Sequence, residues 1–395
     1  MCQPRTDEEF LPATNFDKLV REGQLLPLNE YDHIICSFSG GKDSIGLTIQ
    51  ILEMAIEQGI PQDRIELWHQ NIDGDPADNG EAFMDWPVTH SYASAVAEAL
   101  DLKLRFQWKD GGFEGELLRE NVSTAGVYFE DQFGKTQFAP PQAPSRNCGG
   151  CKRHTFPKAE WDTGIRRWRV ADESHLICPV CEKVRKGIDS RLKWPAKAAS
   201  LTTRWCSAYL KIDVAKRAIN NDPRFANAKV LILTGERREE STARSKYDEV
   251  VKHGSTTKKR RVDQWRSVID WSENDVWAAM ERWRLRPHPA YSLGFGRVSC
   301  MACIFGDKHQ WASVRELSPN MFNNIVQLET KLNHTIDSKK TVLDMADAGT
   351  VYPECKSDMA ERAMSLNYNV SDVFVPDDEE WKLPSGAFRK CGGPI

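Results

Sequence analysis

Tyr31-Asp-His-Ile-Ile-Cys-Ser-Phe-Ser-Gly-Gly-Lys-Asp-Ser44 is an apolar run that stops at a glycine pair and passes into an amphipathic segment ending near Gln58. Ile34, Ile35 and Cys36 predict a strand over 31–37, Gly40 and Gly41 a tight loop, and the apolar spacing a helix over 43–58. Two glycines let backbone N–H groups approach an anion closely, and the helix N-terminus adds partial positive charge. Ser39 and Ser44 can donate to phosphate oxygens, Lys42 can neutralise charge developing there, and Asp43 can hold Mg²⁺ through a carboxylate oxygen. Ser39, Gly40, Gly41, Lys42, Asp43 and Ser44 are therefore nucleotide-binding candidates. The stretch is not a Walker loop, which needs Gly at the position of Cys36 and Ser or Thr directly after the lysine. The plain alternative is a Gly-Gly turn followed by a polar helix cap.

Outward from this unit the pattern repeats. Strands are expected at 65–69 and 102–108, a helix at 89–100, and a buried type of strand at 229–234. Alternating strands and helices predict an α/β protein with a doubly wound parallel sheet, right-handed crossovers and ligands at the carboxyl ends of the strands. Asp73 and Gly235 stand just past two of those ends and join the nucleotide-binding candidates, with a turn aspartate as the competing reading of Asp73. Arg237 and Arg244, close behind Gly235, can reach phosphate or sulfate with their planar donor forks, and Glu240 can hold one of them in place or act on the metal; the plain alternative for these charges is a solvated helix face with neighbouring Glu-Arg pairs. Between 109 and 199 the rhythm breaks into Gly-rich and Pro-rich stretches around two Cys-x-x-Cys pairs. These breaks predict a nucleotide-binding domain split over 1–108 and 200–315, a Cys-rich basic insertion at 109–199, and a C-terminal region at 316–395, helical first and then loop-rich.

Of the 395 residues 40% are hydrophobic and 28% charged, the balance of an ordinary globular chain. No apolar run approaches the roughly 20 residues of a membrane helix, and Met1–Phe10 has neither a basic leader nor an apolar core, so a cytoplasmic protein without a membrane partner is expected. In that compartment the 11 cysteines read as ligands, thiols and core residues, not a disulfide framework. Cys148, Cys151, Cys178 and Cys181, two close pairs 26 residues apart, have the spacing of a four-thiolate zinc site in a zinc-ribbon-like insertion. Cys206, Cys300 and Cys303 form a second set, for zinc or an iron–sulfur cluster, with Cys355 or Cys391 open as a fourth ligand and packed thiols as the alternative. Cys36 reads as core.

Net charge is −4, yet residues 146–204 carry 14 Lys/Arg against 6 Asp/Glu, which leaves this stretch at +8 and the remainder at −12. Such asymmetry predicts an anionic partner, DNA or RNA among them. Trp161, Trp168 and Trp194 interleave with Arg166, Arg167, Arg169, Arg185 and Lys186, a composition suited to phosphate contact with base stacking, or equally to core tryptophans on a solvated module.

Ser39-Gly-Gly-Lys-Asp-Ser44 resembles the loop of the ATP pyrophosphatases, of the adenine nucleotide alpha hydrolase-like superfamily. Thr203-Arg-Trp-Cys206 with Lys211, Gly235-Glu-Arg-Arg-Glu-Glu-Ser-Thr-Ala-Arg244, His288-Pro-Ala-Tyr291 and Arg297-Val-Ser-Cys-Met-Ala-Cys303 resemble, in the same order, the phosphoadenosine-phosphosulfate reductase branch. The likeness spans 30–108 and 200–315. It implies catalytic roles for Lys42, Asp43, Arg237 and Arg244, and substrate contacts from Arg204, Lys211, Glu240 and Arg297. Reductases of the branch usually lack the Lys-Asp pair and end in Glu-Cys-Gly-Leu-His, whereas Lys390-Cys-Gly-Gly-Pro-Ile395 lacks the flanking Glu and His. The expected reaction is therefore cleavage of ATP with Mg²⁺ to pyrophosphate, adenylating an acceptor for sulfur transfer. Relatives that thiolate transfer RNA or DNA join such a loop to an iron–sulfur cluster, which adds a sulfur donor protein as an expected partner. The alternatives are a sulfonucleotide reductase and a non-catalytic nucleotide- and nucleic-acid-binding module.

Overall fold

A computed structural model describes residues 15–76 and 82–389. Its ten strands are β1 (His33–Ser37), β2 (Ile65–Asn71), β3 (Lys103–Lys109), β4 (Val127–Glu130), β5 (Thr136–Ala139), β6 (Glu160–Asp162), β7 (Arg167–Arg169), β8 (Lys229–Leu233), β9 (Val250–Lys252) and β10 (Arg261–Trp265). Eight of them form one sheet in the order β5-β4-β3-β2-β1-β8-β10-β9, and β6 and β7 form a separate ribbon.

The central strands are apolar on both faces because both faces are covered. Ile34 and Cys36 of β1 enter one cluster with Leu231 and Leu233, while Ile35 enters the other with Val230 and Ile232. The first face is covered by α1 (Lys42–Gln58), α2 (Thr89–Ala99) and α4 (Glu273–Arg282), and the second by α3 (Asp213–Asn221). Cys36 is fully buried, and the bounds differ from the sequence reading by a residue or two: β1 begins at His33 instead of Tyr31, and α1 at Lys42 instead of Asp43.

β3, β2, β1, β8 and β10 are mutually parallel, whereas β4, β5 and β9 pair antiparallel at the two edges. The expectation of a parallel sheet thus describes the five central strands. The edge strands return from the end their neighbours reached, and a strand entered in that way runs antiparallel. The chain winds outward from β1 through β2 to β3, then re-enters on the other side of β1 at β8. At this reversal the loops after Ser37 and Leu233 diverge and leave a crevice at the carboxyl ends, where ligands of doubly wound sheets bind.

Two further helices, α5 (Lys308–Leu317) and α6 (Pro319–Leu332), pack beyond the sheet. The chain then returns over the loop 288–296, where Gly386 donates its N–H to the Tyr291 carbonyl at 2.8 Å. No helix among the described residues is long and apolar enough to cross a membrane.

Candidate functional site

Gly40 takes φ +74°, and a Cβ there would stand 3.3 Å from the Tyr92 ring, so the loop needs glycine on both counts. The two serines brace the loop. Ser44 Oγ donates to the Gly41 carbonyl at 2.8 Å and accepts the Ser39 N–H at 3.2 Å, and Ser39 Oγ accepts the Gly41 N–H at 3.4 Å. The Lys42 N–H donates to the Tyr291 hydroxyl at 3.0 Å, and Lys42 Nζ lies 5.7 Å from the centre of the same ring.

Around Lys42 the charges close into a ring. Its Nζ lies 3.7 Å from Asp43 Oδ2 and 3.7 Å from Glu273 Oε1. Asp43 Oδ1 accepts from Arg237 Nε at 2.7 Å, and Arg237 Nη1 reaches Glu239 Oε2 at 2.7 Å. Glu239 Oε2 in turn accepts the Glu273 N–H at 2.7 Å, which completes the circuit. Burial disfavours a charged Lys42, but Tyr291, Asp43 and Glu273 outweigh it and hold its pKa above the usual lysine value. Burial likewise works against the Asp43 carboxylate, and Lys42 and Arg237 overcome it, leaving the pKa lowered. Both Asp43 oxygens face cations, so as arranged it holds Arg237, and a magnesium ion there would displace one of them.

Gly235 has a packing reason as well as a positional one, since a Cβ there would sit 3.0 Å from the Asp43 carbonyl oxygen. The Glu240 carboxylate accepts the Arg237 N–H at 2.8 Å and pairs with Arg244. Arg204 and Arg297 stand 6.0 and 5.9 Å from the Phe305 ring. Arg204 is buried, its Nε has no hydrogen-bond partner among the described residues, and burial lowers its pKa, with Arg244 and Arg297 adding to the effect. Together these arginines make a cationic wall beside the loop.

Burial pushes the Cys206 thiol up to about 11, with Cys303 adding and Lys211 opposing, and burial raises Cys300 further. The three cysteines and Lys211 share one neighbourhood, but the sulfurs do not gather into a ligand set. Among the described residues, Cys148, Cys151, Cys178 and Cys181 are the one group of three or more His, Cys, Asp or Glu with ligand atoms within 4.8 Å of each other. Cys355 is buried against the Leu293 carbonyl, and Cys391 lies outside the described residues.

Asp73 accepts the N–H groups of Phe83, Met84 and Asp85 at 2.9, 3.0 and 2.9 Å. The Met84 carbonyl then accepts the Ala302 N–H at 3.0 Å, so Asp73 braces the loop that carries Cys300 and Cys303. Burial pushes neighbouring Asp85 up to about 7, with Asp73 adding. Asp85 accepts from Thr89 Oγ1 at 3.2 Å, and Thr89 Oγ1 meets His288 Nε2 at 3.3 Å. His288 and His69, the latter 3.0 Å from the Phe38 carbonyl, are both driven down to about 3 by burial and stay neutral.

Sequence reasoning missed Glu239, Glu273, Tyr291 and Asp85. Ser272-Glu-Asn-Asp275 reads as a helix start, and Ser272 and Asp275 do make a capping box there. Nothing local marks Glu273 as the partner of a lysine 231 positions earlier in the chain.

In the Cys-rich stretch the two Cys-x-x-Cys turns begin alike, with the Lys152 N–H on the Cys148 carbonyl at 3.2 Å and the Glu182 N–H on the Cys178 carbonyl at 2.8 Å, and the first closes one residue later than the second. Cys148 Sγ is 3.5 Å from Cys181 Sγ, Cys151 Sγ is 3.7 Å from Cys178 Sγ, and the residue after each pair, Lys152 or Glu182, takes φ near +58° or +57°. N–H groups of Cys151 and Gly150 lower the Cys148 thiol to about 6. Four converging sulfurs, some of them held by backbone donors, fit a tetrahedral thiophilic ion such as zinc. The basic residues beside them are mostly occupied. Arg166 pairs with Asp110 at 2.9 Å, Arg167 donates to the Gly115 carbonyl at 3.1 Å, Arg169 pairs with Asp162 at 3.2 Å, and Arg185 is buried over Phe156. Trp194 packs into the main core, close to Phe83 and Phe113, while Trp161 and Trp168 pack edge to face with centroids 5.3 Å apart.

A doubly wound sheet with a glycine-turned loop at its switch point is the architecture these residues define. Residues 176–305, about a third of the chain, match the family model of the phosphoadenosine phosphosulfate reductase domain. The matched stretch takes in Cys206, Arg237, Arg244 and Cys303 but not the loop 39–44. An uncharacterized 37.8 kDa protein from the gpa 5′ region of Escherichia phage 186 is 28% identical over 295 residues, 75% of this chain and 74% of that protein. An uncharacterized protein of Methanocaldococcus jannaschii is 26% identical over 34% of this chain and 31% of its own length. The adenosine 5′-phosphosulfate reductase of Neisseria meningitidis is 26% identical over 32% of this chain, which spans about half (47%) of that enzyme.

Proposed function

We propose that the protein is an enzyme acting on an adenosine nucleotide, and that it cleaves ATP between the α and β phosphates to adenylate an acceptor for sulfur transfer. The family match supports the coarser reading, a sulfonucleotide reductase or a related adenosine nucleotide-binding enzyme. One observation carries the finer one: a buried Lys42, kept charged by Asp43 and Glu273, at the head of the loop between β1 and α1. A leaving pyrophosphate needs a fixed cation, and an already activated sulfonucleotide does not. In this reading the loop holds the phosphates, Lys42 meets charge developing on the leaving group, and Arg237 and Arg244 reach the remaining oxygens. Asp43, Glu239 and Glu240 hold the arginines. Mg²⁺ travels with the nucleotide phosphates, where it offsets their charge.

Cys206, Cys300 and Cys303 lie beside Lys211 and support the sulfur-handling side of the reaction, as packed thiols in this arrangement and as cluster ligands if the loop 300–303 moves toward Cys206. The four-cysteine set holds a structural metal. The basic insertion supports a nucleic acid as the acceptor.

The test is product analysis with ATP and Mg²⁺. Pyrophosphate release stimulated by RNA or DNA is expected, without sulfite from a sulfonucleotide and thiol. Sulfite release without pyrophosphate would establish the reductase instead, and orthophosphate alone would remove both.

A further inference from the structure

The insertion's surplus of basic residues divides into two groups. Arg166, Arg167, Arg169 and Arg185 are engaged within the chain. Lys152, Arg153, Lys158, Lys183 and Lys186 are exposed and make no ion pair among the described residues. All five lie on the two cysteine turns or close behind them. The turns touch, because the Lys183 stem crosses the first one: a Cβ on Gly150 would stand 2.6 Å from Lys183 Cδ. The cations of the two turns are therefore brought close together at this junction.

The two turns differ where they need not. In the first, Asn147 and Thr155 are the bridged pair flanking the cysteines, and in the second the equivalent pair is Ile177 and Val184. Ile177, Val184 and Val180 are 51, 58 and 50% exposed. The backbone plainly accepts polar residues at such positions, so neither folding nor metal binding calls for three exposed aliphatic side chains there.

We infer that this cysteine-turn face, and not the arginines of β6 and β7, is the nucleic-acid docking surface: the five free cations take backbone phosphates, and Ile177, Val180 and Val184 pack on sugar and base carbons. The inference rests on the reading above that the acceptor is a nucleic acid. Five phosphate contacts predict a slope of log affinity against log salt of about −4, since neutralised phosphates release bound cations.

Anisotropy titrations of the full chain against labelled single-stranded RNA, single-stranded DNA and duplex DNA, each about 16 nucleotides long, test it over about 50 to 200 mM salt. Lys183→Glu with Lys186→Glu should weaken binding at least about ten-fold and flatten the slope by about two. Arg166→Ala with Arg167→Ala should leave the slope as it is. Ile177→Asn with Val184→Thr, which copies the first turn, should weaken binding without changing the slope. Metal content equal to wild type verifies that each variant is folded. Whichever of the three ligands binds with that slope names the class of acceptor. Binding to none of them at low salt, or a lysine variant with the wild-type slope, overturns the inference. A failed ATP reading is separable: Lys42→Ala is expected to lose pyrophosphate release and keep nucleic-acid binding.

Discussion

A lysine with 7% of its side chain exposed needs counter-charge to stay ionised, and Lys42 finds it in Asp43 and Glu273. Asp43 in turn shares with Glu239 the neutralisation of the buried Arg237. The members of such a ring do not contribute equally. In the proposed reaction Lys42 meets the charge developing on the leaving group, so with Lys42→Ala pyrophosphate release should fall by on the order of 10²-fold in kcat. Asp43→Ala should cost about as much, because it releases Arg237 as well. Glu273→Gln removes one of the two carboxylate charges facing Lys42 and should cost roughly ten-fold or less, about one charge-assisted hydrogen bond. Steady-state kinetics on the three variants check the ranking. Gly235→Ala should act through packing: its Cβ meets the Asp43 carbonyl at 3.0 Å, a clash costing about 1–3 kcal/mol that a urea midpoint would register.

Two loops show how elements transmit position. Asp73 gathers three N–H groups of the 83–85 stretch, and Met84 passes the restraint to Ala302, between Cys300 and Cys303. Asp73→Ala should leave those donors unpaired, at about 1–3 kcal/mol, and loosen the cysteine loop. Cys300 and Cys303 should then react with a thiol reagent at least about ten-fold faster, the factor that 1.4 kcal/mol of easier opening gives. An unchanged rate would mean the loop is held by other contacts. With the metal proposed for them, the cysteine turns would depend on it in a different way, since their small cluster holds only Phe156 besides the four cysteines among the described residues. Cys178→Ser should abolish the bound metal and expose the 146–187 stretch to protease while the sheet, which draws no strand from it, keeps its far-ultraviolet signal.

Across the whole molecule, three buried groups bias stability against pH. His69 and His288 are held near 3, so between about pH 4 and 6.5 the unfolded chain binds two protons that the fold refuses. Asp85, held near 7, keeps a proton in the fold that the unfolded chain has released above about pH 4. The balance is one proton more on the unfolded side, so these three groups make stability rise with pH by about 1.4 kcal/mol per unit in that window. Asp85→Asn removes the opposing proton and should steepen the rise to nearly twice that. Urea unfolding at about pH 5 and 6.5 compares the two slopes, and a slope unchanged in the variant would place the Asp85 proton elsewhere.

What residues within a few positions of one another decide was legible in the chain: β1, its glycine turn and α1, the alternation of strands and helices, the closely spaced cysteine pairs. These follow from backbone conformation and side-chain periodicity, which act over short range. The sequence carried Arg237, Arg244 and Cys303 to the neighbourhood of the loop and offered Glu240 as a holder of one arginine, but it left out Asp43, Glu239 and Tyr291 as partners. Folding alone chose those. Lys42 meets Tyr291 across 249 positions and Arg237 meets Asp43 across 194, contacts that exist because β8 inserts beside β1 instead of beyond β3. Arg166 could not be told from Lys183 in the sequence, as both are basic residues in a basic stretch. The fold set them apart by putting Asp110 opposite one and solvent around the other, because which charges are neutralised depends on what the chain brings within a few ångströms.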